Sequence, residues 1–211
     1  MTQPVANCPN CGAKIVFQWP GSVQTVCEYC KSILIRTDLD LEKVGKVADL
    51  PPDSSPIQIG TEGVYNHQAF VAIGRIIYDY DQGSWNEWHI VMDNSSAWLS
   101  DAQSDYAITF AAPAGLALPA TGQAKIGQQY TWEKVTYAVS SITKAHYRGV
   151  EGELPFEYWD KNDVLFVDLS STTGKFATLD YSEKTPVLYL GQAVEFDDLN
   201  FKNLRKFEGW S

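Results

Sequence analysis

Apolar and polar positions along this chain alternate in short runs broken by turn-forming residues. VYNHQAFVAIGRIIYDYD, NEWHIVM, AWLSD and YAITF, between Val64 and Phe110, carry the period of two that sends successive side chains to opposite faces of a strand. A Pro/Ala/Gly-rich loop at residues 111–122 follows, and the pattern then restarts. IQIGTEG is echoed by AKIGQQY, FVAIGRI by YAVSSIT, and HIVMDNSS by LFVDLSS; GKFATLDY and TPVLYLGQAVEF complete the second series. The pattern predicts a mainly β protein. Its body, residues 57–211, would hold two diverged antiparallel β units, 57–110 and 123–197, packed as a sandwich or as paired small barrels. In the tail, Leu199, Phe201, Leu204 and Phe207 recur between the strand and helix periods. That predicts a short helical turn near the C-terminus, with Trp210 as a plug on the core.

The densest stretch is GSWNEWHIVMDNSSAWLSDAQ, Gly83 to Gln103. Alternation places Trp88, Ile90, Met92 and Leu99 on one face, which reads as core. The other face gathers Trp85, Glu87, His89, Val91 and Trp98, where ionisable groups meet two large aromatics. A turn pairing Asp93 with Ser96 sets Val91 opposite Trp98 and Ile90 opposite Leu99. Trp85, Glu87, His89 and Trp98 are the candidate binding face. Glu87 and His89, with Asp101 or Asp105 nearby, would form the acid–base pair of an enzyme. No nucleophile elbow, phosphate loop, dinucleotide fingerprint or zinc-protease motif accompanies them, so no catalytic residue is assigned. His67 and His146 lie in separate stretches, and a histidine metal triad would require all three to converge.

The front of the chain follows another logic. ANCPNCGAKIVFQWPGSVQTVCEYCKSILI contains Cys8 and Cys11, then Cys27 and Cys30, with fifteen residues between the pairs. A two-residue gap folds back so that both thiolates face one ion, and two such pairs complete a tetrahedral sulfur set. The pattern predicts a zinc ribbon over residues 1–37, with KIVF and SILIR as strands around the turn WPGS. Four protein ligands leave no open position for water, so the zinc would be structural. Iron in the same thiolate set is the less favoured alternative, and two disulfides a further one. Residues 38–56 form a connecting arm and linker; 38–48 could be a short helix or extended, and PPDSSP marks the break.

Charge narrows the functional classes. The net charge is −10, and residues 1–50 contribute nothing to it, with five Lys/Arg against five Asp/Glu. Residues 51–211 carry the deficit, eleven against twenty-one. An acidic body repels phosphate backbones, so no nucleic-acid partner is expected. No apolar run is long enough to span a bilayer and no export signal is visible, which together predict a cytoplasmic location.

The body resembles the uncharacterised bacterial family DUF4178. The resemblance rests on IQIGTEGVY, FVAIGRIIYDYDQGSWNEWHI, WLSDAQ, GELP, GKFATLDY, YLG and DLNFKNLRKFEGW, roughly residues 57–210. It sets Glu87, Trp88, Trp98 and Leu99 within the family's recurrent motif and implies no reaction. Association of the family with genes for small membrane proteins and an aminopropyltransferase-like enzyme implies an envelope-linked or accessory role, which would allow an envelope-associated partner. Together these readings favour a non-enzymatic module binding a protein or a small, cationic ligand. The alternative is an enzyme or small-ligand sensor built on the Trp85–Glu87–His89–Trp98 face. Oligomeric state is left open.

Overall fold

The computed structural model describes residues 5–37, 40–47, 50, 55–93, 95–158 and 163–207. Trp210 and residues 51–54 of the linker lie outside them. β1 (Val5–Asn7) and β2 (Lys14–Val16) form a hairpin, followed by β3 (Gln24–Val26), β4 (Ser32–Arg36) and β5 (Leu41–Lys46) in a second antiparallel sheet. Residues 41–46, where the sequence leaves helix and extended arm open, are strand. Thr37 turns the chain by accepting the Asp40 amide on Oγ1 at 3.1 Å, and Leu41 then pairs with Arg36.

The body consists of two successive antiparallel meanders. The first runs through β6 (Glu62–Tyr65), β7 (Gln68–Tyr80), β8 (Gly83–Met92), β9 (Ser95–Ala102) and β10 (Asp105–Ala111). The second runs through β11 (Gln129–Trp132), β12 (Val135–Leu154), β13 (Asp163–Ser170), β14 (Lys175–Asp180) and β15 (Val187–Val194). Pairing of β10 with β15 and of β12 with β7 closes eight of these strands into one ring, β7-β8-β9-β10-β15-β14-β13-β12.

Hydrogen bonding repeats between the meanders position by position. The Gly60 amide bonds Ala72 O at 2.8 Å and the Gly127 amide bonds Val139 O at 2.9 Å; Thr61 and Gln128 then accept from Ala72 and Val139 in turn. Asn66–His67 and Glu133–Lys134 make the first turn of each meander, all four with positive φ, as a two-residue hairpin whose twist matches its strands requires. The bulge between Ala72 and Gly74 is matched by one between Val139 and Ser141. Following this pairing, Gly74 opposes His89 and Ser141 opposes Asp168. His89 and Asp168 therefore occupy equivalent places, so HIVMDNSS and LFVDLSS, which would align Ser95 with Ser170, do not correspond in space.

Strand alternation gives the ring two surfaces. Outward residues Trp88, Ile90, Leu99 and Ile108 form one core with Phe70, and Val167, Leu169, Leu179 and Leu188 form another with Tyr137. Each core is covered by chain leaving the other meander. Leu199, Phe201 and Leu204 follow β15 and cover the first; Leu116 and Leu118 follow β10 and cover the second. The tail contains one 3-10 turn, Asp197–Leu199, and Lys202 bridges back to Glu62.

The β8–β9 hairpin has the two faces expected from alternation, but a different register. Met92 pairs with Ser95, so His89 lies opposite Trp98 and Trp88 opposite Leu99. The pairing is displaced by two residues because the strands extend to Met92 and Ser95 around a tighter connection. An even displacement leaves every side chain on its own face. Asn94 lies outside the described residues.

Leu199, 2% exposed in the first core, tests the exchanged lids. Leu199→Ala should lower unfolding free energy by about 2–5 kcal/mol in urea titration; an unchanged midpoint would show that the tail does not close that core.

Candidate functional site

The two cysteine knuckles repeat one backbone plan. Cys8 N–H donates to Ala13 O and Gly12 N–H to Cys8 O; Cys27 N–H donates to Ser32 O and Lys31 N–H to Cys27 O. The residue after each second cysteine takes a positive φ, 75° at Gly12 and 56° at Lys31. Glycine accepts that conformation without strain, and the other knuckle forces it on lysine. The four sulfurs lie within 4.8 Å of one another, with Cys8–Cys30 at 3.6 Å and Cys11–Cys27 at 3.7 Å. A tetrahedron with metal–sulfur bonds of about 2.3 Å has edges of about 3.8 Å, whereas a disulfide requires about 2.05 Å. The set fits a tetrahedral metal ion, and all four cysteines are free thiols. Ser32 Oγ lies 3.2 Å from Cys30 Sγ and lowers that thiol to about 5, whereas, against the backbone hydrogen bond of Ala13, desolvation and the three neighbouring thiols raise Cys11 to about 12.

The ribbon is built into the body. β3 adds to β12 through Thr25–Glu153 and Gln24–Leu154. The buried Glu153 carboxylate accepts from Gln18 N at 2.8 Å, Trp19 N at 3.4 Å and Ser22 Oγ at 2.6 Å. Burial pushes the Glu153 carboxyl up, and these three donors oppose the shift. The Gln24 side-chain amide completes the junction, donating to Tyr158 O at 3.0 Å and accepting from Tyr158 N at 2.8 Å.

His89 lies under this junction. Its Nδ1 donates to Glu153 O at 2.8 Å, Trp19 meets its ring edge-on at 5.5 Å, and Trp98 covers it at 5.4 Å. With its side chain fully buried, the imidazole is lowered to about 4 and stays neutral; Nε2 has no partner among the described residues. Glycine at position 74 is required here, because a Cβ would stand 1.9 Å from Glu153 O. Trp98 is also buried, and Trp85, half-buried, stacks on Tyr78 at 5.0 Å.

Glu87 is on the same inward face but does not touch His89 in any described hydrogen bond. Its carboxyl meets Ser100 Oγ at 2.8 and 3.0 Å and Trp85 Nε1 at 3.0 Å. Burial raises it to about 8; the hydrogen bonds oppose that shift, and Asp168 and Asp180 reinforce it. At neutral pH Glu87 is mostly a protonated acid inside the ring. Asp101 instead faces the linker, accepting from Ser55 Oγ, and His146 lies on the outside beside Asp163. His67 is in the first hairpin turn, so the three histidines do not converge.

A larger concavity lies elsewhere. A cleft of about 590 Å³ separates the ribbon from the body, walled by Ile15, Val16, Val26 and Tyr29 on one side and by Ile73 and Val150 on the other. Val16 is 41% and Tyr29 78% exposed at its rim. The strand pattern gave no sign of this cleft, since its walls come from distant segments brought together by β3–β12 pairing.

A ribbon with a four-cysteine cluster able to coordinate a metal, docked on a doubled β body, defines the class of this β protein. The chain belongs to the DUF4178 family, described as a domain of unknown function, whose model matches residues 58–196. No curated protein and no solved structure matches it. Among the described residues, no helix is long and apolar enough to cross a membrane.

Two measurements test this site. Purified protein should carry one metal ion per chain, and serine at all four cysteines should abolish binding and unfold the ribbon; a metal-free protein with native dichroism would refute the metal centre. The two inward-facing ionisable groups, His89 buried and Glu87 half-buried, should oppose each other in stability. His89, lowered from 6.5 to about 4, contributes stability present above pH 6.5 and lost as pH falls through 4. Glu87, raised from 4.5 to about 8, contributes stability present below pH 4.5 and lost as pH rises through 8. In urea titrations from pH 4 to 9, His89→Asn should flatten the acid limb and Glu87→Gln the alkaline limb. Unchanged limbs would contradict the desolvated, inward-facing placement of both groups.

Proposed function

We propose that the protein is a non-enzymatic binding module in which structural zinc holds the ribbon as one wall of a ligand cleft. The observation carrying this reading is the cleft itself: about 590 Å³, within the range of small-molecule sites, with apolar walls from both parts of the chain. Zinc is favoured over iron because closed tetrahedral four-cysteine ribbons are the usual form of structural zinc sites. Lys14, Lys31, Glu28 and Glu151 surround the apolar walls, an arrangement suited to a peptide or small amphipathic ligand. The acidic body steers a basic partner toward it, including one at the envelope.

Against the alternative enzyme, His89 is neutral and enclosed by Trp19 and Trp98, with no route to a substrate through its described contacts. The test is affinity capture from native extract with wild type and a Val16→Arg/Tyr29→Ala variant, both substitutions being at the exposed rim. Wild type should retain a partner that the variant releases at least tenfold more readily, with dichroism and metal content unchanged. Removing the metal should release the same partner. Identical retention by variant and wild type would exclude the cleft.

A further inference from the structure

Inside the ring lies a second, smaller cavity of about 30 Å³, independent of the ribbon cleft. Its wall is contributed by seven strands of the closed ring, from Tyr78 on β7 to Tyr189 on β15, and by Phe156 just after β12. Five aromatic rings line it: Tyr78, Trp98, Phe156, Phe166 and Tyr189. Glu87 and Asp180 bring carboxyl groups to the same wall, and no described lining residue is cationic. Thr109 is the second observation. It also lines the cavity, is 1% exposed, and takes part in no described side-chain hydrogen bond. A buried hydroxyl loses the hydrogen bonds it had in water and calls for a partner inside the cavity.

Size and chemistry restrict that partner. About 30 Å³ admits one centre the size of a water molecule and no branched group. The negative faces of aromatic rings attract a cation within about 6 Å of their centroids. A carboxyl group taken into such a place is stabilised as carboxylate only by a positive charge beside it. An anion would meet Glu87 and Asp180, while an apolar atom would leave Thr109 unpaired.

We propose that the ring interior binds a monovalent cation of ammonium size, either as the free ion or as the head of a primary amine. Thr109 accepts one of its N–H bonds, the aromatic rings surround it, and Glu87 supplies the counter-charge by releasing its proton. This site goes beyond the ribbon cleft and does not depend on it. Facing Glu87 across the interior are Tyr78, Asp168, Asp180 and Tyr189, and burial holds the two phenols above their ordinary range, leaving carboxyl groups to answer the cation.

The experiment compares thermal unfolding in 100 mM ammonium, methylammonium, tetramethylammonium and sodium chloride at pH 7.5, for wild type, Glu87→Gln and Thr109→Val. Both substitutions conserve volume, and dichroism with metal content checks that the variants fold. Ammonium should raise the wild-type midpoint by about 3 °C over sodium. Tetramethylammonium, too large for the cavity, should match sodium, and both variants should lose the difference. Methylammonium matching ammonium assigns an amine head group; methylammonium matching sodium assigns the free ion. In weakly buffered solution, ammonium should also release up to one proton from wild type and none from Glu87→Gln. Equal midpoints in ammonium and sodium, or an ammonium effect that survives in Glu87→Gln, would overturn the proposal and leave a cavity filled by water only.

Discussion

One strand governs the architecture. β12 runs for twenty residues and must pair its backbone with four different partners along its length: β11, β13, β7 and β3. Every unpaired buried amide or carbonyl is costly, so each change of partner has to occur where the geometry supplies a replacement. The change from β7 to β3 falls at Gly152–Glu153, where Gly152 opposes Gly74 and Glu153 opposes Thr25. At that crossing the backbones approach so closely that side chains are excluded at positions 74 and 152. Ring closure and ribbon docking are thus two consequences of one crossing.

The same crossing explains the chemistry of the inward face. Glu153 O accepts from His89 while its carboxylate accepts from the ribbon loop, so one residue fixes the imidazole below it and the loop above it. Desolvation then acts on His89 and Glu87 in opposite senses, removing a positive charge from one and a negative charge from the other. Two groups that resemble an acid–base pair in the sequence are both neutral in the fold near pH 6, and are held by different partners. No described hydrogen bond joins them into an acid–base pair.

Legibility followed range of interaction. The cysteine knuckles were readable because their geometry is set within five residues, and the two faces of β8 and β9 because parity survives a two-residue change of register. Neither ring closure nor the exchanged lids could be read, since the β10–β15 and β7–β12 pairings join residues far apart in the chain. Trp19 is the clearest case. Nothing in WPGS announces that its indole will cover His89, because the contact exists only after β3 joins β12. Thr109 likewise carries no signal in YAITF; its burial against an interior cavity depends on strands from both meanders.

A metal held by the four cysteines would matter beyond the ribbon itself. Classical small ribbons fold only with their metal, since so short a chain cannot bury a sufficient core. Here that fold also supplies Gln18, Trp19 and Ser22 to Glu153, and Gln24 to Tyr158. Without an ordered ribbon, the Glu153 carboxylate would face water and His89 would lose the indole above it. Both groups would move back toward their ordinary ionisation ranges. Coordination at Cys8, Cys11, Cys27 and Cys30 would thereby be linked to the protonation of a histidine in the ring wall, through the contacts of Trp19 and Glu153 with His89.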